Sequence, residues 1–178
     1  MQTRVIAGTQ KGIKLFNPKA GTRPLTDRIK TSLFDLINEF IPDATILDLY
    51  AGGGNFGIEA LSRGASFATF VDIGKEATSS IKDNLRKTNF LDQAEVIQQH
   101  AENYVRHSSS QFDIIMTDPP FDKLVIEHIK DAAKLVKPEG LFIFRSPVDF
   151  SVPEKINNLQ LAYSKKYGKS RVSFYQQN

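Results

Sequence analysis

From residue 45 onward the chain alternates short apolar runs with stretches whose apolar residues recur roughly every three to four positions. The runs at 45–50, 67–71, 94–98, 112–117 and 140–144 have strand length and are apolar through most of it, as in parallel strands covered on both faces. Between them, 58–63, 75–88, 101–107 and 125–136 carry helical spacing, with Gly64 and Lys137-Pro138 as stop signals. This alternation predicts an α/β fold with a doubly wound, mostly parallel sheet of seven strands. The last two runs, 159–167 and 170–176, flank Gly168 with no helix between them. They are predicted to close one edge of the sheet as an antiparallel hairpin.

Before residue 45 the pattern changes. Residues 3–7 and 13–16 flank the segment between Gly8 and Gly12 and predict a basic β-hairpin, followed by a loop with Pro18, Gly21 and Pro24. A helix is predicted over 27–40, capped by Thr26, with Ile29, Leu33, Phe34 and Ile37 as its buried face. No repeat or long linker divides the chain. It is expected to be a single domain over 1–178, in which 1–44 form an appendage and 45–178 the catalytic sheet core.

Composition narrows the chemistry. The chain has 178 residues, of which 40% are hydrophobic, enough for one sizeable core. No apolar run approaches the roughly 18 residues of a membrane span, and the N-terminus lacks a signal-peptide stretch, so a cytoplasmic location is expected. With no cysteine there is no disulfide, no thiolate metal site and no cysteine nucleophile. His107 and His128 lack partners at metal-ligand spacing, and no metal is expected. The net charge of +3 divides into +6 over residues 1–30, −7 over 31–159 and +4 over 160–178. Basic ends on an acidic middle suit a polyanion docking around a centre with another task; two merely solvated ends would look the same.

The segment from Asp48 to Gly57 lies between the first parallel strand and its helix. Glycine there lets the backbone turn and approach a ligand beside a helix N-terminus. Gly52, Gly54 and Gly57 satisfy G-x-G-x-x-G, and Asp72 ends the next strand, where an acid would bind a ribose diol. The pattern suits NAD, FAD and S-adenosylmethionine (SAM) alike, and also a tight turn with no ligand. Asp48 favours SAM, because a carboxylate aimed at the loop repels a pyrophosphate and attracts an ammonium or sulfonium. It is also compatible with a polar residue hydrogen-bonded inside the sheet.

At the end of the fourth strand, among the carboxyl ends where ligands of such sheets gather, stand Asp118, Pro119, Pro120 and Phe121. Two prolines fix the backbone and remove two amide donors, leaving only acceptors. Acceptors suit an exocyclic base amine: if the Asp118 side chain and the Pro119 carbonyl take its hydrogens, its lone pair is freed to attack a methyl group. Phe121 offers a face for the base. The alternative is a strand-terminating turn followed by a core aromatic.

An acid, a glycine loop, a second acid and then Asp-Pro-Pro-Phe resemble the class I SAM-dependent amino-methyltransferases of nucleobases. The segments Arg4-Val-Ile-Ala-Gly-Thr-Gln-Lys-Gly12, Arg23-Pro-Leu-Thr-Asp-Arg28 and the stretch from Asp48 to Ala65 look like the bacterial RsmD family, which methylates N2 of a guanine in 16S ribosomal RNA. The resemblance implies that Asp48 and the Gly52–Gly57 loop hold the methionine end of SAM, flanked by Tyr50 and Ala51. It places Asp72 and Ile73 at the ribose side, His100 and Ala101 at the adenine, and Asp118 to Phe121 at the target guanine. Arg4, Lys11, Lys14, Arg23 and Arg28, with Lys165, Lys166 and Arg171, would contact RNA. The implied partner is 16S rRNA or the assembled small subunit, and a monomer is expected. Three positions depart from the family: Gly53 where a serine is usual, His100 where an aspartate precedes the alanine, and Ile13 where an arginine is frequent. Rival expectations are an adenine-N6 or cytosine-N4 methyltransferase, an NAD-dependent oxidoreductase, and a non-catalytic RNA-binding module.

Overall fold

The computed structural model describes residues 3–18 and 25–177. The chain opens with a two-stranded hairpin, β1 (Thr3–Arg4) and β2 (Lys14–Leu15), followed by α1 (Asp27–Leu36). There follow β3 (Thr45–Leu49), α2 (Asn55–Ser62), β4 (Phe67–Asp72), α3 (Lys75–Lys87), β5 (Ala94–Gln98), α4 (Ala101–His107), β6 (Phe112–Thr117), α5 (Ile126–Ala133) and β7 (Val136–Pro147). The chain ends in β8 (Lys155–Ile156), β9 (Leu159–Tyr167) and β10 (Ser170–Gln177).

The main sheet has the order β5-β4-β3-β6-β7-β10-β9-β8, parallel from β5 through β7 and antiparallel beyond. It holds eight strands rather than the expected seven. The additional one, β8, is a two-residue edge strand beside Pro153 that exists only through its pairing with β9. So short a segment carries no periodicity of its own.

Helices cover both faces. One hydrophobic cluster joins α1, α2 and α3 to the sheet through Leu33, Phe34, Phe56, Ile58, Ile81 and Leu85; the other seats α4 and α5 through Val105, Ile129 and Ala133. Val5 and Leu15 of the N-terminal hairpin belong to the first cluster, so that hairpin packs into the core. Thr26 caps α1, its hydroxyl accepting from the Ile29 N–H at 3.4 Å. The helix stops at Leu36, with a single 3₁₀ turn over Asn38–Phe40. In the same way α5 stops short of residue 136, because the Leu135 carbonyl accepts from the Phe112 N–H and Val136 already pairs with Phe112. Among the described residues, no helix is long and apolar enough to cross a membrane.

Strand order reverses between β3 and β6, and such a switch point opens a crevice at the carboxyl ends of the strands. The register Ser170↔Pro147 brings the β9–β10 turn to this same end.

Candidate active site

A cleft of about 920 Å³ occupies the switch point. It is lined by Asp48, Tyr50, Ala51, Gly52, Asp72, Ile73, His100, Ala101 and all four residues from Asp118 to Phe121, which the sequence had scattered over 74 positions counted inclusively. The strands explain the convergence. β3, β4 and β6 run side by side in parallel, so their last residues, and the loops that follow, meet at one edge.

The glycine loop is held by acids. One oxygen of Asp48 accepts from the Gly57 N–H at 3.1 Å, and the two oxygens of Asp72 accept from the Gly52 and Gly74 N–H groups, each at 2.8 Å. The Gly54 N–H donates to the Ala51 carbonyl at 2.8 Å. Gly54 itself has a left-handed backbone (φ +74°) where the loop enters α2, and a Cβ at Gly57 would lie 2.3 Å from the Phe70 ring. These two glycines do not line the cleft; they set the path of the loop and its approach to the sheet. Burial pushes the Asp48 carboxyl well above the usual carboxylate range, and the nearby Asp118 and Asp72 carboxylates add to the rise.

Burying Asp48 therefore costs stability. Its folded carboxyl holds a proton to higher pH than the unfolded one, so the stability it contributes is greatest in acid and declines as pH rises through the unfolded value toward the folded one. Asp48→Asn keeps an acceptor for Gly57 and removes the ionisation. It is expected to raise the melting temperature at pH 7 by roughly 2–4 °C. Affinity for a cationic ligand is expected to fall about 10- to 100-fold, the worth of a hydrogen bond to a charged group. Thermal melts with and without SAM would read both effects.

The loop is also fastened to the N-terminal hairpin. The Asn84 amide donates to the Gly53 carbonyl at 2.9 Å and the Phe16 carbonyl at 2.8 Å, and its oxygen accepts from the Phe16 N–H at 2.7 Å. A Cβ at Gly53 would stand 2.8 Å from the Phe16 carbonyl oxygen. A side chain at Gly53 would therefore require the Phe16 backbone to shift.

At the second end of the cleft, Ile73 is 53% exposed and offers an apolar surface. His100 precedes α4 without capping it by a side-chain hydrogen bond, and its Nδ1 lies 3.7 Å from Glu102 Oε2. Glu102 also accepts from the Tyr50 hydroxyl at 3.3 Å and stands 3.6 Å from His128 Nδ1. Burial and the adjacent Glu102 push the Tyr50 hydroxyl upward, so it stays a neutral donor.

Asp118 is only partly buried, with its side chain 22% exposed. One of its oxygens accepts from Arg145 Nη1 at 2.8 Å, and the Arg145 guanidinium lies 5.6 Å from the centre of the Phe121 ring. Phe121 is 40% exposed. Sequence reasoning missed Arg145, Glu102, Asn17, Tyr167 and Lys169, all of which line the cleft. None lies in a motif: Arg145 and Tyr167 stand on strands, Glu102 on α4, and Asn17 and Lys169 in loops, so only the fold brings them to the cleft.

The expected RNA contacts divide. Lys11, Lys14, Arg28, Lys165 and Lys166 are exposed. Arg4 is exposed but paired with Asp27 at 3.1 Å. Lys165 reaches Ser32 on α1 at 2.9 Å and lies 5.5 Å from the Tyr167 ring centre. Arg171 is half-buried, and its Nη2 donates to the Val148 carbonyl at 3.2 Å, bracing the loop after β7. Arg23 lies outside the described residues.

Comparison with known proteins agrees with the geometry. The family model described as conserved hypothetical protein 95 matches residues 3–176. A presumed rRNA methyltransferase of Bacillus subtilis strain 168, YlbH, is 32% identical over 180 residues, covering 97% of both chains. The ribosomal RNA small subunit methyltransferase D of Escherichia coli K12 is 32% identical over 180 residues, covering 98% of this chain and 90% of its own. Among solved structures, a presumed methyltransferase of Escherichia coli, yhhF, superposes with a TM-score of 0.90 at 32% identity, covering 100% of this chain and 99% of the other. On these matches the chain belongs to the conserved hypothetical protein 95 family, the RsmD family whose motifs surround the cleft.

Proposed function

We propose that this protein transfers a methyl group from SAM to the exocyclic N2 of a guanine in 16S rRNA. The observation that carries the choice of cofactor is the state of the glycine loop. The N–H groups of Gly52, Gly54 and Gly57, which a pyrophosphate would need, are already taken by Asp72, Ala51 and Asp48. What faces the cleft instead is a set of carboxylates, Asp48, Asp72, Glu102 and Asp118. Such a set fits a ligand with cationic and hydroxyl groups and disfavours a dinucleotide. Its relatives named as rRNA methyltransferases support the substrate class.

In this reading Asp48 and the loop from Tyr50 to Gly52 hold the methionine end. Asp72 keeps lone pairs for the ribose hydroxyls, and Ile73 with the His100, Ala101 and Glu102 cluster lies at the adenine. SAM, when bound, supplies an electrophilic methyl on sulfonium. Asp118 and the Pro119 carbonyl accept the two hydrogens of the target amine, and Phe121 stacks its ring. The amine lone pair forms the new N–C bond as the S–C bond breaks, and the proton shed by nitrogen passes to Asp118 or solvent. Positioning accounts for much of the acceleration, with acceptors that strengthen as charge develops on nitrogen. The target base must leave its stack, at a cost of a few kcal/mol that phosphate contacts from Lys11, Lys14, Arg28, Lys165 and Lys166 offset.

Methyl-labelled SAM offered with naked DNA, naked rRNA and assembled small subunits, followed by nucleoside analysis, tests the reading. Label in N2-methylguanosine of 16S rRNA is expected. Label in N6-methyladenine, or calorimetric binding of NAD in place of SAM, would overturn it.

A further inference from the structure

Arg145 enters the cleft from β7, the strand next to the one that delivers Asp118. Its side chain is only 10% exposed, a costly place for a guanidinium unless it is paired. Its two partners are the two groups assigned to the target base: Nη1 donates to Asp118 Oδ2 at 2.8 Å, and the guanidinium covers Phe121 at 5.6 Å. The bond engages a single carboxylate oxygen. Among the described residues, Asp118 Oδ1 has no hydrogen-bond partner, so it stays open to the cleft. Among the described residues the Arg145 Nε is buried without a partner, so the hydrogen bond of this guanidinium goes to Asp118 through Nη1.

We propose that Arg145 is a positioning residue for methyl transfer, holding Asp118 as a charged, oriented acceptor and bracing Phe121 beside it so that acceptor and stacking face form one rigid unit. This rests on the reading of Asp118 and Phe121 as the site of the target base. The charged groups around Asp118 make the need plain. Asp48 on β3 faces it with like charge, Asp122 and Lys123 follow in the next turn, and Lys169 reaches the same cleft from the β9–β10 turn. Of these cations, among the described residues, only Arg145 pairs with the carboxylate. Desolvation drives the Asp118 carboxyl upward, and the guanidinium is what opposes that rise. An Asp118 that held its proton would offer the amine a donor in place of an acceptor.

The test combines pH profiles with a direct titration. In Arg145→Gln the acid limb of kcat/KM for rRNA methylation is expected to move to higher pH by about one to three units, the usual effect of one close opposite charge. Activity should be partly regained at alkaline pH, while KM for SAM stays within about twofold. Arg145→Lys, which keeps the charge but loses the planar fork, should leave the limb near its wild-type place and lower kcat alone. Carbon-13 NMR of the Asp118 carboxyl in the protein without RNA should show the same displacement in Arg145→Gln. That readout needs no methylation, so it separates this proposal from the choice of substrate. A profile of Arg145→Gln parallel to wild type, or an unmoved carbon-13 titration, overturns the proposal. A change in which base carries the label would overturn it as well, by making Arg145 a reader of the base. Should Arg145→Gln melt out at working temperature, the limb of Arg145→Lys decides: displaced as far as the expected Gln value, it refutes retention of the charge as the cause.

Discussion

Asp118→Ala is expected to lower kcat for methyl transfer about 10²- to 10³-fold, the usual loss when one preorganised transition-state partner is removed. RNA affinity should change by less than about threefold, because a single rim carboxylate contributes little beside many phosphate contacts. The physical case rests on what surrounds the residue. Pro119 and Pro120 supply no N–H, so nothing else in the segment competes with the amine for an acceptor. One Asp118 oxygen is tied to Arg145 and the other is open. Asp118→Asn separates charge from shape: it keeps an acceptor oxygen, but its amide group can also face the target amine with a donor. It should lose most of the activity while holding the fold. Alanine leaves Arg145 without its anion, so melting curves must accompany the kinetics. Single-turnover methylation with rRNA binding measured in parallel checks the result. A non-catalytic RNA-binding module would keep its biological effect in both variants.

Glu59→Ala is expected to destabilise the protein by about 3–5 kcal/mol, the range for breaking a buried ion pair by removing one partner. Glu59 sits on α2 with no exposed surface. Its oxygens accept from the Ile6 N–H at 2.7 Å and the Ala7 N–H at 3.0 Å, and they pair with Arg63 at 2.9 Å and with the fully buried Lys30 at 3.6 Å. Lys30 in turn donates to the Arg4 carbonyl. One carboxylate thus fastens the N-terminal hairpin, α1 and α2 together, and its loss strands a buried ammonium and two backbone donors. The pH dependence follows from the remaining charge. Burial holds the Lys30 amine below its ordinary value, and Glu59 is the first of the groups that oppose the drop. Without Glu59 the folded state binds that proton more weakly still, so stability of the variant should recover as pH rises through the lowered folded value toward the unfolded one. Urea unfolding at neutral and alkaline pH, with limited proteolysis of the hairpin, would show a smaller deficit at the higher pH.

These two residues differ in how visible they were in the sequence. Asp118 sits in a four-residue motif whose chemistry can be reasoned out from the residue types alone. Glu59 lies in a helix where only Arg63, four residues on, is a local partner, and most of its worth comes from Ile6, Ala7 and Lys30, which the fold delivers. The same contrast runs through the cleft. Asp48, Asp72 and the glycines stand at strand ends, a place that the alternation of apolar runs and helices defines by itself. Arg145, Tyr167 and Lys169 reach the cleft from strands and a turn, and Glu102 from α4, elements whose lateral order no periodicity encodes. Arg171 reads as an RNA contact from its charge, and only the fold shows that its guanidinium also donates to the loop after β7.

The sequence by itself determined the parallel sheet, the helices between its strands, the acid-flanked glycine turn and the acceptor-only segment at 118–121, because each depends on local periodicity or on torsions fixed by glycine and proline. Only the tertiary structure decided the eighth strand, the burial of the N-terminal hairpin against α2, the occupation of the loop's N–H groups by Asp48 and Asp72, and the pairing of Arg145 with Asp118. Those depend on which strands become neighbours and in what register, and strand pairing joins residues too far apart in the chain for any local pattern to record.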